Sequence, residues 1–346
     1  MTSEAEAAGS TGSVLETPRP GSGAGDAIPR PPTATRRRRL VFWTRLALGL
    51  GLLAVILLRV DLGGVTIAGP LAQAAGVGVV ALLMVLAQLL SAVRWRVIMG
   101  PAAPPAGYLF RLYLIGNFFS LFLPSSIGGD AVRTVAAVRA TGRPAATVSS
   151  VVADRISGVC ALLLYLVTGA LLAPPLVDGL RGRLETTANP LMVLAVVILL
   201  GLATAAAVKL FPRVRPMVRQ AAGVFVDLAR SPLRLLAVAV LAMAVQGLYI
   251  VAWWALGGLL GLDVPPAAYI LAVPVVSMVA MLPVTLSGLG VREGAWLVLL
   301  APYGVAAPDA VAFSLLFFVA FSLVGALGGA FFALRGTGLP SGRPSD

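Results

Sequence analysis

Long uncharged apolar runs follow one another along most of the chain. They cover Leu40–Leu58, interrupted only by Thr44 and Arg45, then Pro70–Val93, Leu112–Gly129, Ile156–Val177, Thr186–Val208, Leu235–Leu262, Val264–Val291 and Ala310–Leu334. A hydrocarbon core about 30 Å thick needs roughly 20 helical residues, so six of these runs predict full spans. The other two predict something else. Leu112–Gly129 contains Pro124, Ser125, Ser126, Gly128 and Gly129, and Val264–Val291 contains Pro265, Pro266, Pro274, Pro283, Ser287, Gly288 and Gly290. Proline removes a backbone donor and clashes with the preceding turn, and glycine weakens a helix interior. Neither run can be one unbroken helix, and both are expected to be re-entrant hairpins.

Residues 1–35 carry almost no large apolar side chains, so they cannot bury enough surface to offset the entropy of ordering; a disordered cytoplasmic tail is expected there. The small-residue stretch Ala72-Gln73-Ala74 resembles a signal cleavage site, but the many spans after it favour a first span at 40–58 over a cleaved leader. The expected organisation is a tail at 1–35, a membrane domain at 36–335 with halves at about 40–177 and 186–335, and a short tail at 336–346.

Composition narrows the chemistry. Of 346 residues 59% are hydrophobic and 12% charged, against roughly 25% charged in a soluble domain. Mean hydropathy is +0.96. With no His and only Cys160, a Ser-His-Asp triad, His-based or paired-Cys metal sites and an intramolecular disulfide are excluded. No metal or cofactor is expected.

The net charge of +12 reads as topology rather than as nucleic-acid binding, because the basic residues flank apolar spans. With the N-terminus inside, the inner loops receive Arg36–Arg39, Arg94, Arg96, Arg139, Arg143, Lys209, Arg213, Arg215, Arg219, Arg230, Arg335 and Arg343, and the outer loops only Arg59, Arg181 and Arg183. This asymmetry requires each broken run to enter and leave on one side, the first from inside and the second from outside. The expected fold is an all-α polytopic membrane protein of six full spans and two re-entrant hairpins.

The breaks also carry a repeat. An offset of 159 residues superposes Leu123–Arg133 on Leu282–Arg292 with Leu, Pro, Gly, Val and Arg shared at five of eleven positions. Each half holds three spans, an odd number, so the second half is inverted relative to the first, and paired broken segments in inverted halves point to a transporter-type site. Backbone freed by a break is tolerated only inside protein or beside a watery cavity. Ser125, Ser126, Gly128 and Gly129, with Ser287, Gly288 and Gly290 in the second copy, offer small side chains and free N–H groups where a helix begins, a favourable place for an anion.

Asp130, Arg133, Asp154, Arg155, Arg292 and Glu293 stand beside or within apolar segments. An unpaired charge in hydrocarbon costs on the order of 3 kcal/mol or more, so these groups should pair or face water. Ion pairs at helix starts and interfacial anchors are one outcome; a shared cavity in which arginine holds a phosphate or carboxylate in bidentate fashion is the other. Asn117 either caps a broken helix or contacts a ligand. Phe118, Phe119, Phe122, Phe317, Phe318 and Phe321 are read as packing or lipid contact, and Trp43, Trp95 and Trp296 as interface belts.

Asn117-Phe118-Phe119, Leu123-Pro124, Gly128-Gly129-Asp130, Arg133, Asp154-Arg155 with Gly158, and Leu282-Pro283 with Gly288-Leu289-Gly290-Val291-Arg292-Glu293-Gly294 together resemble the lysylphosphatidylglycerol synthase transmembrane family, also called the flippase-like domain family. The resemblance covers roughly residues 40–335. It implies a bacterial or archaeal plasma-membrane protein that moves a lipid or lipid-linked headgroup between leaflets. The full-length synthase has a cytosolic aminoacyltransferase domain after its membrane region, whereas this sequence runs about twelve residues past its last span, so synthesis of lysyl-lipid by this chain alone is not expected.

The leading expectation is a non-enzymatic flippase-like transporter whose arginines hold a phosphate and whose acids neutralise them when the site is empty. The alternatives are an accessory subunit of an envelope glycosyltransferase or lipid-modifying enzyme, and a membrane-bound lipid transferase. Expected partners are a lipid with an anionic or phosphate-containing headgroup, such an envelope enzyme, and a second copy of the chain, but no nucleic acid. Both termini are expected in the cytoplasm.

Overall fold

The computed structural model describes residues 68–101, 103–122, 127–174, 176–178, 223–224, 226–281 and 288–335. The tail at 1–35, the runs at 40–58 and 186–208, and the break points at 123–126 and 282–287 lie outside the described residues. Every regular element among the described residues is helical: α1 (Pro70–Met99), α2 (Ala106–Phe122), α3 (Ile127–Thr141), α4 (Pro144–Leu172), α5 (Pro232–Leu259), α6 (Pro266–Met281), α7 (Val291–Leu300), a 3-10 turn at Ala301–Tyr303, and α8 (Ala307–Arg335).

Local chemistry sets several of these ends. Proline opens α1, α4 and α5, where its missing N–H is not needed and its fixed φ suits the first turn. α1, α4, α5 and α8 are long and apolar enough to cross a membrane. The other four helices are 17, 15, 16 and 10 residues long. At 1.5 Å per residue they reach about 15–26 Å, short of a core of about 30 Å. Each run expected to break is divided between two short helices, α2 and α3 in the first and α6 and α7 in the second.

Two expectations need correction. α1 continues through Arg94 and Arg96 to Met99 instead of stopping at Val93, because Arg94 is 5% exposed and bound to Asp154 rather than solvated in a loop. Trp95 and Trp296 are fully buried and so are not interface belts. Trp95 donates to Ser150 Oγ at 2.9 Å, and Trp296 packs edge-on against Phe313 with 5.1 Å between ring centroids. Trp43 lies outside the described residues.

The order long, short, short, long occurs twice, as α1–α4 and α5–α8, and the contacts between the two sets are reciprocal. α1 packs along α5, α2 along α8, and α6 along α4. α1 and α5 run antiparallel: Arg234 near the start of α5 donates to Val97 O near the end of α1 at 2.9 Å, while Ala68 N donates to Leu260 O at the other end at 3.1 Å. The crossings of α4 with α6 and of α8 with α2 both rest on glycine. A Cβ on Gly169 would meet the Leu271 backbone at 2.5 Å, and one on Gly328 would meet Leu114 O at 1.9 Å. These two glycines stand 159 residues apart, the offset that superposes the sequence motifs.

Antiparallel packing sorts the charges. Arg96, Arg139, Arg143, Arg230, Arg234 and Arg335 gather at the end of the bundle where α1, α3 and α8 finish and α4 and α5 begin. The opposite end carries Asp178, Asp263 and Asp309 and, among the described residues, no basic side chain. Large apolar side chains such as Leu71, Leu82, Val167, Leu236 and Leu323 are exposed on the flanks, as a chain solvated by lipid requires.

Gly328→Leu should therefore be poorly tolerated: overpacking costs roughly 1–3 kcal/mol where side chains can move, and here the obstacle is backbone. Gly78→Leu, with nothing among the described residues within 4 Å of its added Cβ, should leave the detergent-solubilised protein unchanged. Thermal unfolding of the two variants checks this, and equal melting points would refute the crossing.

Candidate functional site

Four helices converge on one carboxylate. Asp154 lies about 15 Å along α4 at 1.5 Å per residue and is 1% exposed. It accepts a hydrogen bond from Arg94 Nε of α1 at 2.9 Å, with Arg94 Nη2 at 2.8 Å, from Tyr113 OH of α2 at 2.6 Å, and from Arg133 Nη2 of α3 at 3.1 Å. An ionised carboxylate costs several kcal/mol to bury and is retained only where charge and hydrogen bonds both satisfy it; this set of donors meets that condition.

Arg133 is held by two carboxylates and two aromatic rings. Its Nε donates to Asp130 Oδ1 at 2.9 Å, and its guanidinium lies 4.2 Å from the Tyr113 ring centroid and 4.7 Å from that of Trp95. Cation–π contacts of this kind are worth about 2 kcal/mol when desolvated. Asp130, in the first turn of α3, also receives Arg155 Nη2 at 2.5 Å. The Arg155 side chain is 44% exposed against 2% for Arg133, so the Arg155–Asp130 pair forms the outer edge of the cluster and Arg94, Arg133 and Asp154 its floor. α3 comes this close because two glycines cross: a Cβ on Gly129 would sit 2.2 Å from Gly116 O.

These side chains line a cavity of about 260 Å³. Among the described residues its charged wall is Arg94, Arg133 and Arg155 against Asp130 and Asp154, one positive charge in excess. Arg94 Nη1, Arg133 Nη1 and Asn117 Nδ2 are buried without hydrogen-bond partners among the described residues. Donors left unsatisfied in a buried site are costly; these three belong to cavity-lining residues but have almost no accessible surface of their own. Val159, Leu162, Val245, Met281 and Phe321 supply an apolar side, so the cavity suits a molecule with a polar anionic end and an apolar remainder. Among the described residues no group of three acids or thiols could hold a metal ion.

The expected site residues divide into three groups. Asn117, Gly129, Asp130, Arg133, Asp154 and Arg155 all line this cavity. Ser125, Ser126 and Ser287 lie outside the described residues. Gly128, Gly288, Gly290, Arg292 and Glu293 are described but do not line it.

Arg292 and Glu293 form a closed set of their own. Arg292 Nε donates to Ser314 Oγ at 3.2 Å, Arg292 Nη2 and Ser314 Oγ each donate to Glu293 Oε1 at 3.0 Å, and Gly290 N donates to Glu293 Oε2 at 2.6 Å. Gly290 has φ 80°, a left-handed conformation that favours glycine. Arg292 also lies over the Phe318 ring at 5.2 Å. This second copy of the motif ties α7 to α8, as the first ties α3 to α4, with its partner 22 residues on instead of 21.

Arg94, Tyr113, Gln88, Ser91 and Gln246 line the cavity and were not singled out from the sequence. The signal was present: Gln88, Ser91 and Arg94 recur every three residues within an apolar span, and Tyr113 precedes Asn117 by four, so each set shares a helix face.

Antiparallel apolar helices around a buried charged cavity define a multi-pass membrane protein with an internal polar site. The chain belongs to the family of the lysylphosphatidylglycerol synthase TM region, which it matches over residues 42–329. No curated protein and no solved structure matches it.

Asp154→Asn leaves buried Arg94 without a counter-charge and Arg133 with Asp130 alone and should destabilise by about 3–5 kcal/mol, whereas Asp130→Asn, which leaves Arg133 paired with Asp154 and frees the exposed Arg155, should cost less. Thermal melts in one detergent compare them, and a larger loss for Asp130→Asn would reverse the assignment of floor and edge.

Proposed function

We propose that this protein is a flippase-like transporter that carries the headgroup of a phospholipid or lipid-linked molecule between the leaflets of the plasma membrane. The observation that carries this reading is a cavity lined by Arg94, Arg133 and Arg155 against Asp130 and Asp154, one positive charge in excess among the described residues. A phosphate oxygen is the acceptor these groups fit, and arginine binds it with directed, charge-assisted bonds. Transport rather than bond-making chemistry is favoured because both cavity carboxylates are engaged by arginine, which leaves neither as a free general base.

The six-span topology with two re-entrant hairpins and an inverted repeat belongs to this proposal. It is supported by the antiparallel pairing of α1 with α5 and by the reciprocal glycine crossings at Gly169 and Gly328. The arginine-rich end faces the cytoplasm by the positive-inside rule, and the termini lie on that side. Arg94 is five residues from that end of α1, so the cavity floor lies about 8–15 Å in at 1.5 Å per residue, at the depth of the inner leaflet. Rocking of one set of four helices against the other would transfer the headgroup.

Proteoliposomes carrying the purified chain and a headgroup-labelled anionic phospholipid test the proposal through quenching of outer-leaflet label. Wild type should equilibrate the leaflets faster than empty vesicles. Asn117→Leu, which removes a polar cavity-lining side chain without breaking an ion pair, should slow the rate by roughly tenfold, the effect of about 1.4 kcal/mol. Rates equal to those of empty vesicles would refute transport.

A further inference from the structure

The three arginines of the cavity are not equivalent. Arg94 and Arg133 belong to its floor, with side chains 6% and 2% exposed. Arg94 places two nitrogens on Asp154, and Arg133 is divided between Asp130 and Asp154 and faced by two rings. Freeing either one breaks a desolvated pair and leaves a buried charge short of its partner, a large cost. These two cations already match the two carboxylates, so Arg94, Arg133, Asp130 and Asp154 form a neutral set. The excess positive charge is Arg155.

Arg155 is held differently. Its side chain is 44% exposed, and its one ion pair among the described residues is to Asp130, an acid that Arg133 also holds at 2.9 Å. When Arg155 leaves, Asp130 keeps a buried counter-charge and no carboxylate is stranded. An exposed pair of this kind contributes little, so its release is easy. Arg155 also lies about 16 Å along α4 at 1.5 Å per residue, beside Val152 and Ile156, which are 38% and 41% exposed. An arginine facing hydrocarbon at that depth is costly, and the cost is relieved where water or a phosphate reaches the guanidinium.

We infer that Arg155 is a swinging arm. It rests on Asp130 while the cavity is empty and turns to the phosphate of an entering amphiphile, while Arg94, Arg133, Asp130 and Asp154 stay in place as a neutral floor. The wall contributed by α5, with Gln246 and Tyr249, carries no charge among the described residues, so the arm finds no second acid there. That the ligand is a lipid follows the transport reading above; which arginine meets it follows from exposure and pairing alone.

Lipid retention by the full chain tests this separately from transport. The protein is purified in neutral micelles doped with phosphatidic acid, whose headgroup is a phosphate alone, and bound lipid is counted by native mass spectrometry. Arg155→Gln should lower retention roughly tenfold, the scale of a lost charge-assisted contact, with a melting point close to that of wild type. Asp130→Asn, which removes the resting place, should raise retention roughly threefold, the scale of an exposed ion pair. The same substitution in the Arg155→Gln background should give no rise, because the gain acts through the freed arm. No retention by wild type, retention unmoved in Arg155→Gln, a fall in Asp130→Asn, or an equal rise with and without Arg155 overturns the swinging arm, whether or not vesicles show translocation. The expected pattern without translocation upholds it and overturns the transport reading alone. Inorganic phosphate at the lipid's concentration should fail to displace bound phosphatidic acid; full displacement would assign the arm to a soluble phosphate and overturn a lipid ligand.

Discussion

The architecture of the first four helices depends on one buried carboxylate. Asp154 joins α1, α2 and α3 to α4 through Arg94, Tyr113 and Arg133, each drawn from a different element. In a membrane the apolar faces of helices gain little by leaving lipid for one another, so packing geometry and polar contacts carry the specificity of association. A charge that is costly to bury becomes a strong constraint, since only the arrangement that supplies all its partners is tolerated. The arginines gathered by Asp154 also line the cavity. The same interaction that assembles the helices builds the site.

The second set of helices solves the same problem differently. Arg292 keeps the position of Arg133, but its counter-charge is the neighbouring Glu293, and Ser314 stands on α8 about where Asp154 stands on α4. With those bonds internal to α7 and α8, what surrounds them is aromatic: Trp253 stacks on Phe317 at 3.7 Å, and Phe313 packs against both Trp253 and Trp296. Such rings pack closely and rigidly. The charges of the cavity therefore come from the first half, while the second half builds an apolar core, although both follow the same order of helices and the same glycine-mediated crossings.

Much of this was legible in the chain. The broken runs were marked by Pro and Gly at positions no membrane helix readily accommodates, and they correspond to the α2–α3 and α6–α7 pairs. Asn117, Asp130, Arg133, Asp154 and Arg155 were marked by being polar in apolar surroundings, and they meet in one cavity. Arg94 was misread because a basic residue near the end of an apolar run has the same local appearance whether it faces cytosol or a buried acid 60 residues away. Trp95 and Trp296 were misread for the same reason: a tryptophan near a span end looks like a belt residue until a core closes over it.

What the sequence by itself determined is everything that depends on the solvent and on local backbone chemistry: helices in lipid, where they break, and which end gathers arginine. Hydrocarbon offers no hydrogen-bond partners, and that constraint acts residue by residue. Which arginine serves which acid, and that Arg292 and Glu293 satisfy one another while Arg94 and Arg133 meet at Asp154 beside a cavity, was decided by the tertiary structure. Those outcomes turn on helices crossing within a backbone's width at Gly129, Gly169 and Gly328, and spacing along one chain does not encode distances between helices.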